Sequence, residues 1–120
     1  MKSELAEIAE KAENLREIDP SVSLQLFLDS LKLAKEQNNQ LEVIEILFNA
    51  GVASHNLSNH RAAKEYFTEA LGNPEINKDM FLKANILRCL GVQFVCTNML
   101  QEAIDYLYQS EKVSIECGYD

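Results

Sequence analysis

The sequence has few of the residues that interrupt helices. Among its 120 residues are two prolines, four glycines and no tryptophan, and long stretches contain no turn signal. Because proline and glycine mark turns and the ends of regular elements, their scarcity favours helices over strands. We therefore expect an all-α protein, and the chain is long enough for one domain with its own core.

Long apolar runs are also lacking. The longest uncharged stretch, residues 89–101, is well short of the roughly 20 apolar residues that span a membrane. The N-terminal segment has frequent carboxylates and no apolar centre, unlike a secretory signal. With three cysteines and no CxxC pair, the chain is expected to be reduced and cytoplasmic, without a membrane partner.

Basic residues are outnumbered by acidic ones. The sequence contains 11 Lys and Arg residues and 19 Asp and Glu residues, which gives a formal net charge of −8. The basic residues are scattered singly, whereas binding to phosphates needs a clustered basic face. A nucleic-acid partner is therefore not expected.

Apolar residues recur at helical spacing in six stretches, which fall into three pairs. Asp19 is placed to cap the second helix, with Pro20 in its first turn, and Gly72-Asn73-Pro74 ends the fourth. The short connections predict antiparallel neighbours packed pairwise. The predicted helices cover about 3–17, 20–37, 41–57, 60–71, 78–96 and 100–117.

A 40-residue period links the second and third pairs. Gly51 and Gly91 are 40 residues apart, and large and small residues follow each at the same offsets. A fixed period of this length indicates a stacked repeat, in which a mid-helix glycine admits a large side chain of the partner helix. The other matched positions are Leu47 and Leu87, Ala63 and Ala103, Phe67 and Leu107, and Ala70 and Ser110.

This pattern resembles the tetratricopeptide repeat, a helix–turn–helix unit. The first repeat is degenerate, since Lys11 replaces the glycine and Ser23 the alanine, although Phe27 and Ser30 fit. The matching residues are Leu87, Leu90, Gly91, Phe94, Ala103, Leu107 and Ser110 in the third repeat, and Leu47, Gly51, Ala63, Phe67 and Ala70 in the middle one.

The resemblance implies an α-solenoid of three antiparallel helix pairs in a right-handed superhelical stack. A single domain would cover residues 1–120, with repeats at about 1–39, 40–77 and 78–117. The middle repeat departs from the family at Ala50 and Ser54, where larger apolar residues are usual. The period of 40 also exceeds the usual value of about 34.

Longer repeats of this kind are similar to those of bacterial signalling proteins, where such arrays precede diguanylate cyclase or histidine kinase domains. We therefore expect a protein- or peptide-binding module, serving as the N-terminal sensory or scaffold region of a larger signalling protein. A peptide-sensing regulator is an alternative. Advancing the register by 40 places Tyr119 and Asp120 where another first helix would begin. This position favours a fragment of a longer array over the other alternative, a stand-alone homodimeric scaffold paired through its open C-terminal helix.

In this family the first helices of the pairs line a concave groove. An apolar groove with few polar anchors suits a peptide or helix partner, although the same surface would also suit packing against a further repeat. A full carboxylate clamp is not expected, because lysine is lacking. The predicted groove comprises Glu45, Phe48, Asn49, Val52, His55, Asn56, Asn85, Arg88, Val92 and Val95, with Leu5, Ile8, Ala12 and Leu15 from the first pair.

No residue pattern indicates catalysis, a cofactor or a metal. The chain has no glycine-rich phosphate loop and no nucleophile–base pair, so we do not expect an enzyme. His55 and His60 lie across a helix break, and no ligand spacing links them to Glu65 or Cys96. We expect His55 in the groove and His60 in a cap region. Cys89 and Cys96, seven residues apart, are expected to serve in packing, with redox sensing as the alternative.

Overall fold

Six α-helices follow one another in the computed structural model, which describes residues 3–118. A short 3-10 helix, Pro74–Lys78, precedes the fifth, and no strand occurs among the described residues. The all-α prediction is thereby confirmed, whereas the expected start of a further helix at Tyr119 and Asp120 lies outside them. The helices are α1 Glu4–Leu15, α2 Pro20–Glu36, α3 Gln40–Asn56, α4 His60–Leu71, α5 Met80–Cys96 and α6 Leu100–Glu116.

Most of the helices begin at a side-chain cap. Asp19 accepts a hydrogen bond from the backbone N–H of Val22, as predicted, and a hydroxyl, carboxylate or amide oxygen at each of the other side-chain caps likewise accepts from a backbone N–H. Such a cap satisfies a backbone donor that has no partner within the helix. At α6 the cap position is Met99, which has no side-chain acceptor. The other capping residues are Ser3, Asn39, Asn59 and Asp79.

One turn geometry recurs between helices. Asn38, Ser58 and Asn98 have positive φ angles of 55°, 60° and 59°. In each case the next residue donates its N–H to a carbonyl five residues earlier, as in a Schellman motif. The residue after the left-handed position is also the N-terminal cap of the following helix. Two residues therefore end one helix and start the next, which places consecutive helices side by side.

Each helix packs against the next helix along the chain, and α3 also contacts α5. Within the second and third pairs the close approach depends on the two glycines. A Cβ atom on Gly51 would lie 2.7 Å from Cζ of Phe67, and one on Gly91 would lie 2.8 Å from Cγ of Leu107. Since both distances are far below van der Waals contact, only glycine fits at either position without movement of its neighbour. The predicted packing of Phe67 and Leu107 against these glycines is confirmed.

Buried hydroxyl groups link the helices of the outer pairs. Ser23 Oγ donates to the carbonyl oxygen of Ala12 at 2.6 Å, and Ser110 Oγ donates to that of Ala84 at 2.8 Å. Both bonds join α-helices within one pair. Ser54 differs, because its Oγ is buried with no hydrogen-bond partner among the described residues. The position 40 residues later is occupied by Phe94, so the middle repeat has a hydroxyl where the third has an aromatic ring.

The outer face of α6 is apolar and exposed. Ile104 is 60% exposed and Tyr108 is 68% exposed, and three further large side chains continue the same face. In α4 the position equivalent to Ile104 is Lys64, whose stem packs towards α5 and whose ammonium lies 5.0 Å from the ring centroid of Phe94. The face with which α4 packs against α5 therefore has an equivalent on α6, and there its apolar side chains are exposed. The further residues are Leu100, Leu107 and Ile115.

None of the helices within residues 3–118 is both long enough and apolar enough to cross a membrane.

Candidate functional site

A pocket of about 310 Å³ opens between α3 and α5. Five of the ten residues predicted for the groove line it: Phe48, Val52, His55, Arg88 and Val92. Cys89, which was predicted to serve in packing, also lines it, and three further lining residues were not predicted for the groove. These are Arg16, Phe67 and Gln93.

The base of the pocket is aromatic. Phe67 is fully buried, and its ring lies 6.1 Å from that of Phe48, centroid to centroid, at an interplanar angle of 46°. Phe67 reaches this position from α4 because Gly51 leaves room for its ring. The glycine that fixes the helix pair therefore also forms the pocket floor. An apolar floor of this kind favours an aliphatic or aromatic side chain of a ligand.

Arg16 is held in the pocket by two asparagines of α3. Its Nη1 donates to Asn49 Oδ1 at 2.8 Å, and Asn49 Nδ2 in turn donates to the carbonyl oxygen of Glu45 at 3.1 Å. Asn56 Nδ2 donates to the carbonyl oxygen of Arg16 at 3.4 Å. Asn49 and Asn56 were predicted to line the groove themselves. Instead they position Arg16, whose side chain lines the pocket.

The pocket carries two guanidinium groups without a compensating carboxylate. Arg16 and Arg88 both line it, and no Asp or Glu is among the lining residues. Among the described residues, neither arginine forms an ion pair. A local positive charge in a chain of net charge −8 would favour an anionic group of a ligand.

Glu45 lies one turn before Asn49 and outside the lining. The pKa of its carboxyl is raised, first because partial burial removes water and then because Glu42, Asp79 and Glu13 bring negative charge near it. Acidic residues therefore gather at the side of the pocket where α3 begins. They would repel an acidic ligand there and leave the arginines as the favourable contact.

The remaining predicted groove residues lie elsewhere. Asn85 is half-buried and Val95 is exposed, and neither lines the pocket. Leu5 and Ala12 are buried in the core, so they are unable to present a groove surface. Ile8 and Leu15 are half-buried and also outside the pocket lining. Arg16, just after α1, is the only described residue that the first pair contributes to the lining.

Cys89 lines the pocket as a thiol. Burial raises its pKa, and the nearby positive charge of Arg88 lowers it only in part. The thiolate, which is the reactive form, is therefore scarce at neutral pH. Cys89 therefore contributes apolar surface to the pocket, and its thiol is a poor nucleophile.

A second group of polar side chains lies at one end of the pocket, where α3, α4 and α5 meet. Gln93, only 2% exposed, accepts at Oε1 from His60 Nδ1 at 2.7 Å and donates from Nε2 to His55 Nδ1 at 3.0 Å. The two imidazole rings are 5.5 Å apart, centroid to centroid. His55 is in the last turn of α3 and lines the pocket, whereas His60 is the first residue of α4.

No protein-family model matches the chain, and no curated protein matches it either. The resemblance to tetratricopeptide repeats therefore rests on the residues themselves, above all on the 40-residue register of Gly51 and Gly91.

Proposed function

We propose that the chain is a tetratricopeptide-like solenoid of three helix pairs that binds a protein or peptide partner in the pocket between α3 and α5. The proposal is supported by the repeat register and by the position of five predicted groove residues around that pocket. It involves no catalytic step. Its biological setting would be the sensory or scaffold region of a larger cytoplasmic bacterial signalling protein, such as a diguanylate cyclase or histidine kinase.

The partner's chemistry follows from one observation, the pair of uncompensated guanidinium groups above an aromatic floor. Arg16 and Arg88 would each donate to a carboxylate, and such charge-assisted bonds are about twice as strong as neutral ones. Phe48, Val92 and the ring of Phe67 would enclose an apolar side chain. The ligand would therefore be a short peptide segment with an apolar side chain next to a carboxylate. A peptide-sensing regulator would use the same pocket in the same way.

The test is selection from a library of short synthetic peptides with free carboxyl termini, followed by fluorescence anisotropy on the selected sequences. Phe48→Ala and Arg88→Ala should each weaken binding by about tenfold or more, since each removes a central contact. The matched controls are Phe81→Ala and Arg61→Ala, which change exposed residues of the same type outside the pocket and should leave affinity unchanged.

The carboxylate is tested by changing the peptide. Amidation of the terminus, or Asp→Asn and Glu→Gln within the peptide, should weaken binding to the unmodified protein and cause a smaller loss with Arg88→Ala, because only Arg16 then contacts the carboxylate. If amidation weakens binding, the bound carboxylate is the peptide's C-terminus; if Asp→Asn or Glu→Gln does so, it belongs to a side chain. If the Phe48→Ala and Arg88→Ala proteins bound as tightly as the unmodified protein, or if loss of the peptide carboxylate weakened binding equally in the unmodified and Arg88→Ala proteins, the pocket would be refuted as the binding site.

A second candidate function is self-assembly through α6. It is favoured by the exposed apolar face that carries Ile104 and Tyr108, because a row of large apolar side chains is the usual core of a protein interface. In this case the chain would act as a homodimeric scaffold. The acidic net charge would not oppose association at physiological salt, where charges more than about 8 Å apart are largely screened.

Light scattering at increasing protein concentration tests this assembly. We expect a dimer that Ile104→Lys converts to a monomer, because a buried ammonium without a partner opposes association. Arg61→Lys, on the exposed side of α4, is the control and should remain dimeric. A protein that stays monomeric at high concentration would exclude this function.

A further inference from the structure

The ends of three helices bring together two imidazoles and a thiol. His55 lies in the last turn of α3, His60 at the start of α4, and Cys96 is the last residue of α5. One potential ligand atom from each residue lies within 4.8 Å of the other two. We propose that His55, His60 and Cys96 bind a divalent transition metal ion that accepts imidazole and thiolate ligands, with Zn²⁺ as the expected ion.

The distances fit a site that closes on the ion. Zn–N bonds are about 2.0–2.1 Å and Zn–S bonds about 2.3 Å, so two nitrogens and one sulfur around a tetrahedral ion are roughly 3.3–3.6 Å apart. The separations here, within 4.8 Å, exceed that range by up to about 1.5 Å. Cys96 is exposed, so rotation of its side chain meets little resistance, and an ion would reach the site from solvent. Three protein ligands leave a fourth position open to water or a ligand.

Gln93 is the positioning residue of this site. Its Oε1 lies 2.7 Å from His60 Nδ1, while its Nε2 lies 3.0 Å and its Oε1 3.4 Å from His55 Nδ1. Donation of Nδ1–H from His60 to Oε1 leaves the Nε2 lone pair of His60 free for the metal. Binding of the ion by His55 Nε2 would require His55 also to carry its proton on Nδ1 and donate to Oε1, in place of the contact with Gln93 Nε2. A hydrogen bond to the second ring nitrogen is the usual means of fixing the tautomer and orientation of a metal-binding histidine.

Two of the three helix ends favour a cation, whereas the N-terminus of α4, at His60, carries partial positive charge and does not. The carbonyl groups at the C-termini of α3 and α5 carry partial negative charge, and His55 and Cys96 are at these ends. Lys64 of α4 places a positive charge near Cys96, since its ammonium contacts Thr97 Oγ1 at 3.4 Å and the ring of Phe94. These contacts hold the ammonium at the α5 surface. The metal proposal does not depend on peptide binding, although His55 lines both sites.

The test is titration of the reduced protein with Co²⁺ under anaerobic conditions, followed by displacement with Zn²⁺. We expect one Co²⁺ per chain, visible absorption typical of tetrahedral cobalt, and a thiolate-to-cobalt charge-transfer band in the near ultraviolet. Cys96→Ser should abolish the charge-transfer band, whereas Cys117→Ser, which changes a thiol outside the cluster, should keep it. Circular dichroism of each variant establishes that the helices are intact.

Two further variants separate ligands from the positioning residue. His60→Ala should lower Co²⁺ affinity by at least about a hundredfold, more than loss of a hydrogen bond to a metal-binding residue does. Gln93→Leu should lower it by about 10–100-fold and keep the charge-transfer band, because the thiolate is unchanged. Absence of the band at saturating Co²⁺, its persistence in Cys96→Ser, or its equal loss in Cys117→Ser would overturn the proposal.

Discussion

Replacing Phe27 with alanine is expected to lower the free energy of unfolding by about 4 kcal/mol. Phe27 is 0% exposed and belongs to one apolar cluster that includes residues of α1 through α5. Removal of its ring would leave a cavity that this close-packed interior fills only in part. Chemical denaturation followed by circular dichroism measures the loss.

The matched control occupies the equivalent position in the third pair. Leu107 is 36% exposed, so water already reaches part of its side chain, and Leu107→Ala should cost about 2 kcal/mol. The comparison also tests whether the degenerate first pair, α1 and α2, shares one core with the other helices. If Phe27→Ala cost no more than Leu107→Ala, or produced a separate early transition, α1 and α2 would not share the core of the remaining helices.

Gly51→Leu should lower the free energy of unfolding by about 3 kcal/mol. Its Cβ atom alone would lie 2.7 Å from Cζ of Phe67, and that fully buried ring could move aside only into the pocket that it lines. Either α4 moves away from α3 or Phe67 leaves its place, and in both cases the pocket floor is lost. Thermal or urea unfolding gives the stability, and peptide binding by the folded fraction gives the effect on the pocket.

Two variants define the cause of this loss. Gly72→Ala changes an exposed glycine whose φ of −74° any residue adopts and whose nearest neighbours would lie 3.5 Å from a Cβ atom. It should be neutral or slightly stabilising. Gly51→Ala, which adds only the Cβ atom that meets Phe67, should also lose stability, and combining it with Phe67→Leu should recover part of that loss, because the smaller side chain relieves the contact. If the two substitutions were simply additive, the proposed contact would not cause the loss.

The helices were predictable from the sequence because their signals are local. Asp19 and Pro20 mark the start of α2, and the predicted range of α4, 60–71, agrees with the structure at both ends. The 3-10 helix at Pro74–Lys78 was not predicted, since a single turn after a helix-ending Gly-Asn-Pro segment has no periodicity of its own. The glycine contacts were also predictable, because a fixed offset to a large residue repeats in two pairs.

The pocket was predictable only in part. Phe48, Val52 and Val92 follow from helical spacing within α3 and α5, which place them on one side of each helix. Arg16 does not, since it follows α1 and reaches the pocket through a hydrogen bond to Asn49, 33 residues away. The cluster of His55, His60 and Cys96 has no sequence spacing to reveal it, because its members come from three helices.

The side-by-side packing of consecutive helices has a kinetic consequence. Because each helix contacts the next one along the chain, the chain has to close only short loops before apolar contacts begin to form. Folding rates rise as contacting residues lie closer in sequence, and helical proteins of this kind fold on the order of microseconds to milliseconds. A pair formed anywhere in the chain offers its neighbour a surface on which to fold, so no single region has to form first.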